Sequence, residues 1–371
     1  MIDTIDFYNY LNNVGIDFFA GVPDSLLANF CACIKKNSPI DKNIITANEG
    51  NAVAMVAGYH LSTGKIGCVY MQNSGEGNAV NPLLSLADEE VYSIPMLLMI
   101  GWRGEPGKHD EPQHVKQGKV TLSLLEVMGI EYVVLSDNYK EEITKAIEYM
   151  KKYNKPYAVV VQKNTFSSYE IDLEPTQYIL SREEALKVII GNLNDDDFIV
   201  STTGKTSREI FEIREENNQD HSNDFLTVGS MGHTASIAYG IASGTTNNVF
   251  CIDGDGSFIM HMGSLGVIGS RLLKNFKYIL NDNNSHESVG GQPTCSNSLN
   301  IPQILKAFGF KEVILASTRE EIKQGIKRMR QEEGLAMVLH TKQGSRNNLG
   351  RPTTTPLDNK SSFMKKIGAK Q

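Results

Sequence analysis

The stretch VFCIDGDGSFIMHMGSLGVIGSRLLKNFKYILNDNN, residues 249–284, decides how the chain reads. It opens on an apolar run, Val249 to Ile252, that ends in Asp253-Gly254-Asp255-Gly256-Ser257. An apolar run closing on a Gly-rich acidic turn reads as a buried strand whose carboxyl end carries a ligand loop. A helical segment follows, then a second strand around Tyr278, Ile279 and Leu280, which ends in Asn281-Asp282-Asn283-Asn284. Two strand ends therefore present carboxylate and carboxamide oxygens, the ligands of a hard cation such as Mg2+. A lone Gly-Asp-Gly is more often a plain turn. An EF-hand loop is excluded, because the twelfth position from Asp253 is Ser264 instead of Glu and a strand, not a helix, leads in.

Working outward, the same architecture occurs twice. Helical and strand patterns alternate along all 371 residues, the mark of parallel sheets covered by helices, and the length favours two domains. Gly58 is followed by Gly75 across a strand at Cys68 to Met71, as Gly240 is followed by Gly256 across Val249 to Ile252. EYVVLSDNYKEEITKAIEYM and EVILASTREEIKQGIKRM correspond, with Ile143, Ile147 and Met150 each 179 residues before Ile322, Ile326 and Met329. The chain is expected to be two copies of one α/β domain, residues 1–164 and 181–345, joined by a linker at 165–180. A polar tail follows at 346–371, whose last dozen residues are expected to be mobile. Ser181-Arg182-Glu183-Glu184 has the form of a capping box opening the second domain, and Ser317-Thr318-Arg319-Glu320 repeats it. Asp24 or Ser25 is placed to cap an early helix.

The formal net charge of −7 argues against a nucleic-acid-binding surface. Five cysteines without repeated spacing argue against a disulfide framework or a zinc site, and are expected to be buried or half-buried. The N-terminus lacks the basic start and apolar core of a signal peptide, and IPMLLMIGW is too short to span a bilayer. A cytoplasmic protein with no membrane contact is expected.

Other motifs are weighed one by one. Glu49, just after a strand, reads on its own as a carboxylate made favourable by a helix start. TTGKTSRE, 202–209, is not a phosphate loop, since Ile199 stands where the first Gly is needed. Thr203, Gly204 and Lys205 still open a helix, and such ends bind anions. VGSMGHTASIAYG, 228–240, reads as tight helix packing. GWRGEPGKHDEPQHVKQGK, 101–119, reads by composition as a solvated loop, though loops at strand carboxyl ends are where α/β proteins place chemistry. A zinc cluster of His109, Asp110 and His114 has no recognised ligand spacing.

The run from Gly254 to Asn283, with a step of 28 from Asp255 to Asn283, closely resembles the diphosphate-metal motif of thiamine-diphosphate enzymes. HESVGGQPT, 286–294, together with RGEP and DEPQH, resembles the branch of 2-oxo acid decarboxylases acting on phosphonopyruvate and sulfopyruvate. The resemblance covers nearly the whole chain and departs in one place: aligned on His286, the usual Asn-Asn pair is Asp282-Asn283. It implies a pyrimidine-binding domain followed by a diphosphate-binding domain, with no middle domain. It implies thiamine diphosphate and Mg2+, the metal held by Asp255, Asn283 and the carbonyl of Ser285, with Asn284 as the alternative to Asn283. Cofactor contacts would come from Glu49, Thr203, Gly204, Lys205, Gly229, Met231, Gly254, Asp255, Gly256, Ser257, Asn283 and Ser285, with Met231 wedged beneath the cofactor. Glu49 would stabilise the imino form of the aminopyrimidine, a task that needs a raised pKa. His286 and His109 would be acid–base groups, with His114 a weaker alternative, while Arg103, Lys108 and His286 would meet the anionic substrate. The resemblance also implies a homo-oligomer, at least a dimer, with its site at a subunit interface. The alternatives are sulfopyruvate as substrate, which separate chains in that branch were expected to disfavour, a carboligase, a silent cofactor-binding subunit, and a Mg2+-dependent phosphotransferase.

Overall fold

The apolar runs become the strands of two six-stranded parallel sheets. The computed structural model describes residues 1–170 and 176–369. In the first sheet β1 is Phe19–Gly21, β2 Asn43–Ile45, β3 Cys68–Gln72, β4 Leu97–Gly101, β5 Glu131–Val134 and β6 Tyr157–Val161, in the order β2-β1-β3-β4-β6-β5. In the second part β7 is Phe198–Ser201, β8 Asp224–Leu226, β9 Val249–Gly254 and β10 Phe276–Asp282. Two short strands, β11 Ser285–His286 and β12 Gln292–Pro293, precede β13 Glu312–Ala316 and β14 Leu335–His340. The second large sheet runs β13-β14-β10-β9-β7-β8. Read from its other end this is β8-β7-β9-β10-β14-β13, the first order repeated strand for strand. The expected fold class is thus present: two similar α/β parallel-sheet domains, with no middle domain.

Burial on both faces explains why these strands read as continuous apolar runs. Along β3, Cys68 and Tyr70 face one core while Val69 and Met71 face the other. Along β9, Phe250 and Ile252 face one core and Val249 and Cys251 the opposite one. Full burial of each large side chain contributes about 1.5–3 kcal/mol.

The chain divides into two units, Met1–Leu173 with Ser288–Gln292, and Glu174–Glu287 with Pro293–Gln371. Several local expectations change. Residues 165–169, placed in the linker, belong to the first unit: Phe166 is buried in its core and the Ile2 N–H donates to the Thr165 carbonyl at 2.8 Å. Residues 171–175 of that linker lie outside the described residues. The C-terminal tail is not left loose, since Pro356–Ile367 is a helix capped by Thr355 and Asp358. Its Phe363 packs edge-on against Phe198 and Phe225, and Asn359 bonds the backbone of edge strand β8 through both Leu226 N–H and the Asp224 carbonyl. The Ser181–Glu184 capping box forms as expected. The later one is shifted by one residue to Thr318 and Glu321, because Thr318 carries the extended backbone of an N-cap. Asp24 does not cap a helix end proper; it accepts from the Leu26 and Leu27 N–H groups, ahead of the helix Ala28–Asn37. The charged run 101–119 is a loop only to Glu111, after which Pro112 starts a helix to Val127. Four cysteines are buried, but Cys295 is exposed.

Candidate active site

In the second unit the carboxyl ends of β9 and β10 bring together the residues on which the sequence reading turned. β9 runs to Gly254, and a short helix, Asp255–Met260, starts without an intervening loop. Of the two aspartates, Asp253 turns inward and accepts from the Tyr278 hydroxyl at 3.1 Å. Asp255 Oδ2 instead accepts the Ser285 N–H at 3.1 Å, and Asn283 Oδ1 accepts that same N–H at 3.2 Å. Two oxygens from just past the ends of different strands thus converge on one donor. The Thr294 hydroxyl adds a second contact to Asp255 Oδ2 at 2.7 Å. Asn284, in the left-handed region at φ 57°, sends its own oxygen to the Ser296 hydroxyl.

This junction fits a divalent cation. Burial, and then the neighbouring Asp282 carboxylate, raise Asp255 to about 7. A buried carboxylate beside a second one calls for positive charge. The donor set of carboxylate, carboxamide and backbone oxygen suits Mg2+.

Around the junction sit further expected residues. The Gly232 N–H donates to Ser257 Oγ at 3.1 Å, which pins the turn 229–232 over the Asp255 helix. Gly256 has no room for a side chain: a Cβ there would lie 2.8 Å from the His286 ring and 3.2 Å from Met231 Cε. Met231, Gly256 and His286 are therefore brought into contact. Burial lowers His286 to about 4, so its ring is neutral at pH 7. Gly204 takes φ 91° as N-cap of the helix Lys205–Glu216, whose first N–H groups receive no side-chain cap. Thr203 bonds the Val228 carbonyl, and the Lys205 ammonium lies 3.4 Å from Glu287.

In the first unit Asn48 caps the helix Glu49–Thr63 by accepting from the Asn51 N–H, which sets Glu49 as the first helical residue. Glu49 is 4 % exposed, and burial raises its pKa. Its Oε2 accepts from Asn78 at 2.7 Å, and its Oε1 lies where a Cβ on Gly75 would fall, 2.2 Å away. The other expected first-unit residues are differently engaged. Asp110 takes the Arg103 guanidinium through two N–H groups and Ser25 takes a third. Lys108 pairs with Glu105 at 2.6 Å, and His109 is exposed. Asp110 thus serves Arg103, and among the described residues no group of three or more His, Cys, Asp or Glu is arranged to hold a metal ion. His114 is buried, with its Nδ1 unpartnered and its pKa lowered by burial.

The sequence reading missed several groups. Asn78 and Gly75 shape the Glu49 pocket. Thr294, Ser296 and Glu287 surround the Asp255–Asn283 junction; Glu287 and Thr294 lie within the motif 286–294 but were given no role there. Asp24 is fully buried after β1, with Oδ1 unpartnered and a pKa raised by burial to about 6. Glu76 is 3 % exposed, with Oε1 unpartnered and a pKa raised by burial to about 8.

Comparison with known proteins places this geometry. Residues 6–134 match the thiamine pyrophosphate enzyme N-terminal TPP binding domain, and residues 202–340 the C-terminal TPP binding domain. The chain is 32% identical to a phosphonopyruvate decarboxylase of Streptomyces viridochromogenes, over 96% of this chain and 93% of that one. It is 31% identical to one of Streptomyces hygroscopicus, over 96% and 92%. A sulfopyruvate decarboxylase of Methanosarcina acetivorans is 25% identical over 88% of both chains. That last match corrects one expectation: carrying both domains on one chain does not separate the two substrate classes. Near-complete coverage at this identity, with both cofactor-binding domains matched in order, leads to one conclusion: the chain belongs to the thiamine-pyrophosphate enzymes, in the phosphonopyruvate decarboxylase family.

Proposed function

We propose that the chain decarboxylates 3-phosphonopyruvate to phosphonoacetaldehyde and CO2 with thiamine diphosphate and Mg2+. The observation that carries the metal site is the convergence of Asp255 Oδ2 and Asn283 Oδ1 on the Ser285 N–H. Asp255, Asn283 and the Ser285 carbonyl would hold Mg2+; Asn284 is set aside because its oxygen meets Ser296 instead of the Ser285 N–H that Asp255 and Asn283 share. The uncapped helix start at Gly204 and Lys205, with the turn 229–232 and residues 254–257, would receive the diphosphate. Thiamine diphosphate, when bound, supplies the electron sink that lets a 2-oxo acid lose CO2.

The chain's own groups then have defined tasks. Glu49, held by Asn78 and with its pKa raised by burial, would share a proton with the aminopyrimidine. Met231, against Gly256, supports the ring system from one side. His286 meets substrate as a neutral hydrogen-bonding ring, because a charged imidazole is disfavoured in its buried place. Arg103 has N–H groups beyond its three bonds to offer a phosphonate, whereas Lys108 would have to leave Glu105. His109, being exposed, is the weakest member of the set and would have to be drawn in by substrate.

Phosphonopyruvate is favoured over sulfopyruvate by the higher identity to its decarboxylases over more of the chain. A homo-oligomer of at least two copies, working in the cytoplasm, completes the proposal; the free cysteines suit a reducing compartment, and among the described residues no helix is long and apolar enough to cross a membrane. The test compares turnover of phosphonopyruvate, sulfopyruvate and pyruvate with and without added cofactor and Mg2+. Phosphonopyruvate should be consumed fastest and only with both present; preference for sulfopyruvate, or turnover without cofactor, would refute the assignment.

A further inference from the structure

Asn283 offers two chemically different ends, and only its oxygen can bind a cation. Which end faces Asp255 is decided behind the site. Asn283 Nδ2 donates to Glu287 Oε2 at 3.1 Å, and a carboxylate can only accept. The opposite end meets the Ser285 N–H, which can only donate. The two partners together allow one orientation of the carboxamide.

Glu287 is itself held in place. Arg182 Nη1 donates to the same Oε2 at 2.6 Å, and Lys205 lies 3.4 Å from Oε1. Arg182 is 5 % exposed and is locked from its other side by Glu209, which accepts Nε at 2.7 Å and Nη2 at 2.8 Å. The arrangement starts from local sequence. The Ser181–Glu184 capping box fixes the first turn of its helix and sets Arg182 as the first helical residue, facing Glu209 on the neighbouring helix. Two cations and two carboxylates balance, so the cluster carries no net charge into the interior.

We propose that Glu287, anchored by Arg182 and Glu209, is a positioning residue that presets the Asn283 oxygen toward Asp255 and so tunes the divalent-cation site. This rests on the metal assignment made above. Outer groups that orient metal ligands typically change metal affinity by about 10–100-fold when removed.

The test uses protein stripped of cofactor, with Mn2+ as the probe, titrated in the presence of thiamine diphosphate and followed by electron paramagnetic resonance. Glu287→Met keeps the volume but removes the acceptor; it should weaken Mn2+ binding by about 10–100-fold. Glu287→Gln can still turn an amide oxygen toward Arg182 and Asn283, and should bind Mn2+ nearly as wild type. Adding Asn283→Asp to Glu287→Met should recover much of the loss, because both ends of a carboxylate are oxygens. Thermal unfolding of the metal-free variants checks the fold. A folded Glu287→Met that binds Mn2+ like wild type overturns the proposal, as does a Glu287→Gln no better than Glu287→Met. Should Glu287→Met not fold, Glu287→Asp, which draws the acceptor back by one methylene, carries the same comparison: weaker Mn2+ binding supports it and unchanged binding overturns it. If wild type itself takes up no Mn2+ with thiamine diphosphate, the metal assignment fails and this inference with it.

Discussion

The ends of β3 and β9 occupy the same place in two copies of one sheet; burial raises an acid at each, yet the groups around the two acids differ. After β9, Asp255 is met by the Ser285 N–H and the Thr294 hydroxyl, and Asn283 stands beside it. After β3, Glu76 is as deeply buried, but its Oε1 has no partner and burial alone raises it to about 8. One junction is lined with oxygens that a cation can bind. The other keeps its proton, next to the glycine that makes room for Glu49. A duplicated fold repeats the positions where strand ends expose chemistry; what each position does depends on which groups the neighbouring strand end supplies.

Substitutions at the two junctions can break this contrast. The largest effect is expected at Asp255: Asp255→Ala should abolish Mg2+-dependent binding of thiamine diphosphate, measured by calorimetry, and turnover with it. Retained binding would mean that the cation sits elsewhere. Glu49→Gln should keep the fold, checked by circular dichroism, and lower kcat by about 10²–10⁴-fold, the usual range for a positioned acid–base group. Gly75→Ala drives a methyl into the Glu49 carboxyl, where a Cβ would stand 2.2 Å from Oε1. It should cost about 1–3 kcal/mol in denaturant unfolding as the neighbours shift, and should reduce turnover by displacing Glu49.

The most diagnostic change concerns Glu76. In the folded chain it keeps its proton up to about 8, whereas the ordinary value is 4.5. Between those values the folded state binds more protons than the unfolded one, so this residue lowers stability as pH rises through that window. Glu76→Gln should raise the unfolding temperature at pH 9, with the gain shrinking as pH falls toward 5. A gain independent of pH would show that Glu76 is already ionised, and the contrast with Asp255 would lose its basis.

The repeat, the alternation of strand and helix, and the metal loop were legible because each rests on local pattern. Apolar runs mark strands buried on both faces, and Gly-Asp-Gly followed by Asn283 marks two adjacent strand ends. The C-terminal helix was missed although Thr355-Pro356-Leu357-Asp358 carries a capping box with Pro at its first turn; the polar composition around it hid a single buried residue, Phe363. The charged run 101–119 misled in a similar way, since composition cannot show that Asp110 folds back onto Arg103.

Local pattern in the sequence located the strands, the repeat of the domain, and the copy that carries the Gly-Asp-Gly turn and the Asn283 strand end, because periodicity and motif spacing are properties of neighbouring residues. Tertiary packing alone reveals that Asp255 and Asn283 share one N–H, that Glu49 sits against Gly75 and Asn78, and that Glu287 bonds Asn283 with Arg182 behind it. Asp255 and Ser285, Glu49 and Asn78, and Arg182 and Glu287 lie tens of residues apart along the chain, and close packing of the sheets and helices is what brings these groups within bonding distance.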